Sequence, residues 1–550
     1  MSSPTTNATE SVNGAAPAPT PAPGWGIPLL VLIAGMFMSI LDTSIVNVAI
    51  PTMQNDFGVT TDEIQWVATA YTLALGVVVP VSAYLSDKFG ARLVYNASLV
   101  AFAAGSALCG VAWSLESLVV FRIIQAIPGG VLPVVTLGMV YRIVPKEKIG
   151  TAMGLYGLGI VFAPAVGPTL GGYLVEYVDW RLIFFINVPI GVVGAVAAVM
   201  VLPKFPKGRA GGFDVLGFLT IATGLFAILL ALSEGQDWGW TSYRILILFS
   251  VGAISLALFV VIELEVEHPL LDVHVFRYWP YTNSLLLISV LSIGLFTVLF
   301  YIPVFLQQSL GIGAFEAGLI LLPQALVMAV IMPIAGRLYD KIGPRWPALI
   351  GLAIVAWGTW LLDGLTLSTS REWIIAVLAL RAGGMGLAMM PIMTGGIAAV
   401  PPAVVGAASA FNNVVQRTSA SLGLAVLTAL VTAQQTQLLD DRSALVPMGT
   451  NMPQLAPGAQ GQIAGTMAVY QQTQMQSFVT AIDNMMIITM VTTLVGVALA
   501  MFLRSGPARQ AAAAPAPAPA QKPAAEAPAP STTNGRTRAP ERQEHAAAAR

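Results

Sequence analysis

AYLSDKFGAR at residues 83–92 returns as GRLYDKIGPR at 336–345, 253 residues later, each copy between two long apolar runs. Five positions are identical at one spacing: Leu85 and Leu338, Asp87 and Asp340, Lys88 and Lys341, Gly90 and Gly343, Arg92 and Arg345. A charged ten-residue turn repeated deep inside a hydrophobic chain says that the chain has two related halves. Two such halves, rocking against each other, are the usual physical basis of a transporter.

The sequence around the repeat is that of a polytopic membrane protein. Of its 550 residues 56% are hydrophobic and 10% charged, with a mean hydropathy of +0.77, where soluble domains carry about 25% charged residues. A net charge of −1 leaves no nucleic-acid footprint. The single cysteine, Cys109, lies in an apolar run, which excludes disulfides and cysteine-based metal sites within one chain. His268, His274 and His545 fall in loops or the tail, so a proton relay inside the membrane has to use carboxylates. Residues 1–25 contain no Lys or Arg and lack the charged region of a signal peptide. They read as a disordered tail, and the Ala/Pro-rich stretch 504–550 reads as another.

A membrane span needs about 20 apolar residues at 1.5 Å each. Fourteen windows qualify: 26–50, 64–85, 93–113, 115–141, 149–174, 181–202, 214–232, 245–263, 281–306, 314–337, 346–363, 373–399, 404–433 and 477–503. With a cytoplasmic N-terminus, the inner side holds Lys88, Arg92, Arg142, Lys146, Lys148, Lys204, Lys207, Arg209, Arg277, Arg337, Lys341 and Arg345. The outer side then holds only Arg181, Arg244, Arg371 and Arg442. This asymmetry puts both termini in the cytoplasm and the polar loop 435–476 outside. The repeat offset divides the chain into a six-helix half at 26–202, an insertion of two helices with its linker at 203–280, and a second six-helix half at 281–503. Arg122 and Arg381, 259 residues apart, read as a further matched pair.

These residues carry a family resemblance. The chain resembles the major facilitator superfamily, and within it the fourteen-helix drug:proton antiporters of the EmrB/QacA type. SILDTSIVNVAIP (39–51) is similar to that subfamily's LDxTxVNVALP signature, and the repeated loop to the superfamily's G-x-L-x-D-x-x-G-x-R/K pattern. FRIIQAIPGG (121–130) is similar to the RxxQGxG motif, and GLYGLGIVFAPAVGPTLGG (154–172) to the antiporter Gly/Pro motif. WRLIFFINVPIG (180–191) also looks like this subfamily. Ala83, Ala126 and Ala163 stand where the patterns have glycine. The fold implied is an all-α polytopic membrane protein with 14 transmembrane helices, two pseudo-symmetric six-helix halves and two inserted helices.

Asp42 is the most informative single residue. An ionised carboxylate near mid-helix costs about 2.5–3.5 kcal/mol on insertion scales, and such residues mark ion pathways. Asp42 lies roughly 12 Å below the outer end of its helix, and Arg122 roughly 10 Å below the same surface. Two readings follow: a switchable pair in which Asp42 takes a proton or a substrate and Arg122 sets how readily it does so, or a permanent ion pair. The family signature, centred on this aspartate, favours the first.

Asn47, just over one turn on, is expected to hydrogen-bond in the same site. Gln125, Arg381, Asn412, Asn413 and Arg417 are expected to border the substrate cavity. The resemblance implies that the repeated loops, with Asp87, Lys88, Gly90 and Arg92 in one copy and Asp340, Lys341, Gly343 and Arg345 in the other, form a cytoplasmic gate that latches across the halves. Gly154, Gly167, Pro168, Gly171 and Gly172 suit a tight, proton-resistant seam between the halves. Asp483, the other acid well inside a helix, reads as structural.

The function expected is proton-coupled export of lipophilic or amphipathic compounds, drugs among them. The alternative within transport is export of an endogenous lipid, siderophore or metabolite. A proton-translocating respiratory subunit would carry mid-membrane lysines, and none occurs in a helix core here. No residue cluster supports an enzyme and no P-loop pattern supports ATP coupling. The expected partners are the lipid bilayer and small lipophilic substrates, the chain reads as a monomer, and no cofactor or metal is implied beyond the proton as coupling ion.

Overall fold

Glycines set the ends of the helices that carry the repeated loop. Gly90 (φ +93°) and Gly343 (φ +81°) both take a backbone conformation that only glycine adopts without strain. Each stops one helix and lets the next begin within a residue or two, which is why glycine returns in both copies. The computed structural model describes residues 24–205, 211–444 and 459–503. The expected tails at 1–25 and 504–550, up to residue 23 and from residue 504, lie outside the described residues, as do 206–210 of the linker and 445–458 of the polar loop.

The described residues form sixteen α-helices: α1 Gly26–Phe57, α2 Thr61–Val78, α3 Val81–Phe89, α4 Ala91–Gly110, α5 Leu115–Ile143, α6 Ile149–Tyr177, α7 Leu182–Phe185, α8 Asn187–Val201, α9 Val215–Trp238, α10 Tyr243–Glu265, α11 Trp279–Val304, α12 Ala314–Ile342, α13 Arg345–Leu361, α14 Arg371–Ala398, α15 Val405–Ala444 and α16 Ala459–Ala500. Polar N-caps start several of them. Thr60 and Glu63 close a capping box on α2, and Ser114, Asp214, Ser242 and Ser370 cap α5, α9, α10 and α14. Among the described residues, thirteen helices or helix pairs are long and apolar enough to cross a membrane, and the bent pair α2–α3, taken as one span, makes fourteen.

Two expectations need correction. The window 64–85 is not one straight helix: α2 and α3 meet at 55° around Pro80, which has no backbone N–H to continue the ladder. The loop expected at 435–476 is largely helical where described. α15 runs to Ala444 and α16 begins at Ala459, because QQTQLLDDRSA (434–444) holds no glycine or proline to stop a helix. Arg442 joins the two extensions, donating to Thr480 Oγ1 at 3.0 Å and to Ser477 Oγ at 3.4 Å.

The packing repeats itself. α1 packs on α5, α6 and α8, α4 on α5 and α8, and α2 on α5. In the same pattern α11 packs on α14, α15 and α16, α13 on α14 and α16, and α12 on α14. Glycine contacts fix the register of the match. A Cβ on Gly130 would meet Leu75 O at 3.0 Å, and one on Gly386 would meet Met328 O at 3.3 Å. A Cβ on Gly105 would stand 2.9 Å from Gln125 Cα, and one on Gly358 would stand 3.2 Å from Arg381 Cα. Arg381 is therefore the counterpart of Gln125, 256 residues on, and not of Arg122 as the spacing suggested.

The inserted helix α9 touches both halves. Leu229 closes on Gly76 of α2, with a hypothetical Cβ contact of 2.5 Å, and Gln236 donates to Thr432 of α15 at 3.4 Å.

Candidate functional site

α1, α4, α5 and α8 converge on the Asp42 carboxylate. Arg122 Nη1 donates to Asp42 Oδ2 at 2.5 Å and to Gln125 Oε1 at 2.7 Å. Gln125 Nε2 and Asn187 Nδ2 each donate to Asp42 Oδ1 at 2.9 Å. Asn187 also reaches Ser106 Oγ at 3.1 Å, and Ser106 donates to Phe184 O at 2.8 Å. The guanidinium lies 3.7 Å from the centre of the Tyr71 ring and its Nε donates to Val67 O at 3.4 Å. Asp42, Gln125 and Asn187 are fully buried and Arg122 is 1% exposed. A charge pair so dry survives because both carboxylate oxygens have donors, while Asn187 Oδ1 is buried without a hydrogen-bond partner.

The arrangement can do two things. With Asp42 ionised, the Asp42–Arg122 pair is neutral and both oxygens of the carboxylate accept hydrogen bonds. A proton on Asp42 removes the counter-charge of Arg122 in a low-dielectric space, so protonation has to move something or recruit another partner. The cysteine is part of the wall: Cys109 Sγ lies 3.5 Å from Gln125 Oε1.

Asn47 is not in this network. It is exposed, and five residues on α1 turn it about 140° from Asp42. Gln125 belongs to the acid rather than to an open cavity. Reading by spacing missed Asn187, Ser106 and Tyr71. Asn187 sits inside the quoted INVPIG stretch, and a buried asparagine beginning an apolar helix was the signal available.

In the second half, Arg381 is 3% exposed and bonds within its own helices, Nη2 to Gly294 O at 2.5 Å and Nε to Thr359 Oγ1 at 3.0 Å. On α15, Asn412 is buried, Asn413 donates to Ser409 O at 3.0 Å, and Arg417 is half-buried within electrostatic reach of Tyr71. The Tyr71 hydroxyl is buried without a hydrogen-bond partner.

The repeated loops behave differently from each other. Asp340, at the end of α12, caps the first turn of α6 in the other half. Its carboxylate accepts from Gly150 N at 2.8 Å, Thr151 N at 2.9 Å and Thr151 Oγ1 at 2.7 Å. The positive end of a helix favours a carboxylate there. Beside it α6 and α12 are in backbone contact: a Cβ on Gly154 would lie 2.6 Å from Met332 O, and one on Gly336 would lie 2.7 Å from Gly150 C.

The equivalent seam joins α3 to α15. There Ala83, standing where the pattern has glycine, faces Gly406, with a hypothetical Cβ contact of 3.5 Å. Asp87 does not cross it, as the latch expectation required of both aspartates. It pairs instead with Arg142 of its own half at 3.5 Å, beside a cleft of about 20 Å³ lined by Ala83, Val405 and Gly406. Lys88 bonds Tyr84 Oη at 2.9 Å, Arg92 bonds Val199 O, and Lys341 is exposed.

The Gly/Pro helix also divides its work. Gly154 lies on the seam between halves, but Gly167 and Gly171 pack on Ser44 and Ile45 of α1. Gly172 meets nothing within 4 Å, and Pro168 is exposed. The seam glycines are Gly150, Gly154 and Gly157, the last facing Met332 and Met390.

Two matched helix bundles, pressed together at one end and burying an acid–arginine network in one of them, are the architecture of a membrane transporter, not of an enzyme. The chain belongs to the Major Facilitator Superfamily, whose pattern matches residues 32–424. It is 36% identical over 423 residues to the uncharacterized MFS-type transporter YhcA of Bacillus subtilis (strain 168), covering 76% of this chain and 80% of that one. It is 31% identical to the multidrug transporter protein MdtP of the same organism, covering 81% and 82%. Among solved structures, the human organic anion transporter MFSD10 superposes with a TM-score of 0.56 over 86% of this chain and 100% of that chain, at 13% identity, which speaks to the fold alone.

Proposed function

We propose that the protein is a proton-coupled exporter that moves lipophilic or amphipathic compounds out of the cell by alternating access, with Asp42 as the proton-accepting group. The observation that carries this reading is the buried Asp42 carboxylate, held by Arg122, Gln125 and Asn187 at the centre of one half. The names of relatives such as the multidrug transporter MdtP support drugs as cargo.

In this reading the chain sits in the cell membrane with both termini in the cytoplasm, and the repeated loops face inward. The Asp340 contact with α6 then closes the cytoplasmic end. The energy suffices: one charge crossing 100 mV supplies about 2.3 kcal/mol, and each unit of pH difference adds about 1.4 kcal/mol per proton. Cargo binds between the halves, near Arg417, which lies within electrostatic reach of Tyr71. A positive Arg417 against an Asp42 neutralised by Arg122 disfavours dications, so neutral, zwitterionic or amphipathic cargo is expected.

The test is transport into proteoliposomes holding the full chain, over a panel of lipophilic compounds, with imposed pH and voltage gradients. Accumulation that follows the pH gradient supports the reading. Transport indifferent to pH and voltage removes the proton from it.

A further inference from the structure

The second half contains a degenerate copy of the acid site, and its polarity is reversed. Pro51 of α1 and Pro303 of α11 align the two helices at 252 residues, which sets Gly294 where the first half has Asp42. The glycine contacts on α4 and α13 set Thr359 at the position of Ser106 and Arg381 at the position of Gln125. The hydrogen bonds follow the same geometry. Gln125 reaches the Asp42 carboxylate in one half, and Arg381 reaches the Gly294 carbonyl in the other. Leu378 takes the position of Arg122. The first half thus holds an acid and a base, and the second holds a base alone.

Arg381 is 3% exposed, and none of the salt bridges among the described residues involves it. Its partners are a carbonyl and a hydroxyl, both neutral, and they occupy two of its five N–H groups. A buried cation without an anion is costly, and charges inside a membrane bundle mark functional sites by default. Where the first half carries the Asp42 side chain, the second half carries none, because the position is Gly294. A Cβ built on Gly294 would stand 3.3 Å from Arg381 Nη2 and 3.8 Å from Thr489 Cγ2, with no third neighbour within 4 Å.

We propose that Arg381 binds a small monovalent inorganic anion, chloride in a cell, in the place that the Asp42 carboxylate fills in the first half. The size of the ligand follows from its position. Arg381 lies among α11, α13 and α14 inside one half, and the position is that of a single missing side chain. Cargo moving between the halves does not fit this description. One bound monoanion neutralises the buried guanidinium and accepts from its remaining N–H groups. The inference does not depend on proton coupling.

The test is equilibrium binding of radioactive chloride to the purified full-length protein at fixed ionic strength, with gluconate as the replacing anion. One saturable chloride per chain is expected, displaced by bromide and not by gluconate. Gly294→Asp, which supplies a carboxylate to Arg381, and Arg381→Gln, which removes the charge, should each weaken binding at least tenfold. Gly294→Ala, a smaller change, should weaken it by filling the space. Absence of saturable chloride binding to the unsubstituted protein overturns the proposal whether or not the variants fold. Binding undiminished in Gly294→Asp and Arg381→Gln overturns it as well.

Discussion

Asp340→Asn should open the end of the molecule that carries the repeated loops. The carboxylate of Asp340 accepts three hydrogen bonds from the first turn of α6, two of them from backbone N–H groups. Asparagine keeps one acceptor oxygen and loses the second together with the charge. A hydrogen bond to a charged group contributes about 1.5–3 kcal/mol, and a carboxylate at a helix N-terminus gains about 0.3–1 kcal/mol from the dipole. The closed arrangement should therefore lose about 2–4 kcal/mol, or about 30- to 700-fold in the closed-to-open ratio.

Spin labels at Lys148 and Lys341, both exposed and flanking the seam, with Cys109 replaced by alanine, report that ratio by pulsed electron resonance. Asp340→Asn should add a longer-distance population. Asp87→Asn should change little, since Asp87 holds only a half-exposed pair with Arg142, of a kind contributing about 0–1 kcal/mol. An unchanged distance distribution in Asp340→Asn, or a larger shift in Asp87→Asn, would refute the reasoning.

Gly154→Val should shift the same label distances in the same direction, because its Cβ would stand 2.6 Å from Met332 O and overpacking costs about 1–3 kcal/mol. Asn187→Ala should leave Asp42 one donor short and lower thermal stability by about 1–3 kcal/mol, while Asn47→Ala should not; equal losses would contradict the network. In a chain without Cys109, a cysteine placed in 443–460 should label from outside and one at 205–210 only from inside, and the reverse pattern would invert the orientation proposed.

The repeat at 83–92 and 336–345 made the two halves legible because loop glycines and charges are under local constraint: each needs a positive φ or an exposed charge whatever surrounds it. Asp42 and Arg122 were legible because charge in an apolar helix stands out by cost alone. Their uncharged partners were not. Asn187, Ser106 and Tyr71 matter through where α4, α7–α8 and α2 cross α1, and a sequence read one helix at a time contains no crossings. The pairing of Arg122 with Arg381 failed for a related reason. Two arginines at similar depth look equivalent, but only the contacts of Gly105 and Gly358 fix the register, and they match Arg381 to Gln125. The long polar stretch reads as a loop from its composition, but composition does not stop a helix: a run of Gln, Leu and Asp with no glycine or proline continues α15 to Ala444.

The central claim is that Asp42 carries the coupling proton, and the most direct measurement is uphill substrate accumulation in proteoliposomes driven by a pH gradient, comparing the unsubstituted protein with Asp42→Asn. Asparagine retains the shape and accepts hydrogen bonds but cannot exchange a proton. The account predicts that Asp42→Asn inserts and binds substrate, yet accumulates none above the equilibrium level when the pH gradient is imposed. Full gradient-driven accumulation by Asp42→Asn would contradict it and move the coupling group elsewhere, with Asp483, whose Oδ1 is buried without a hydrogen-bond partner, the first place to look.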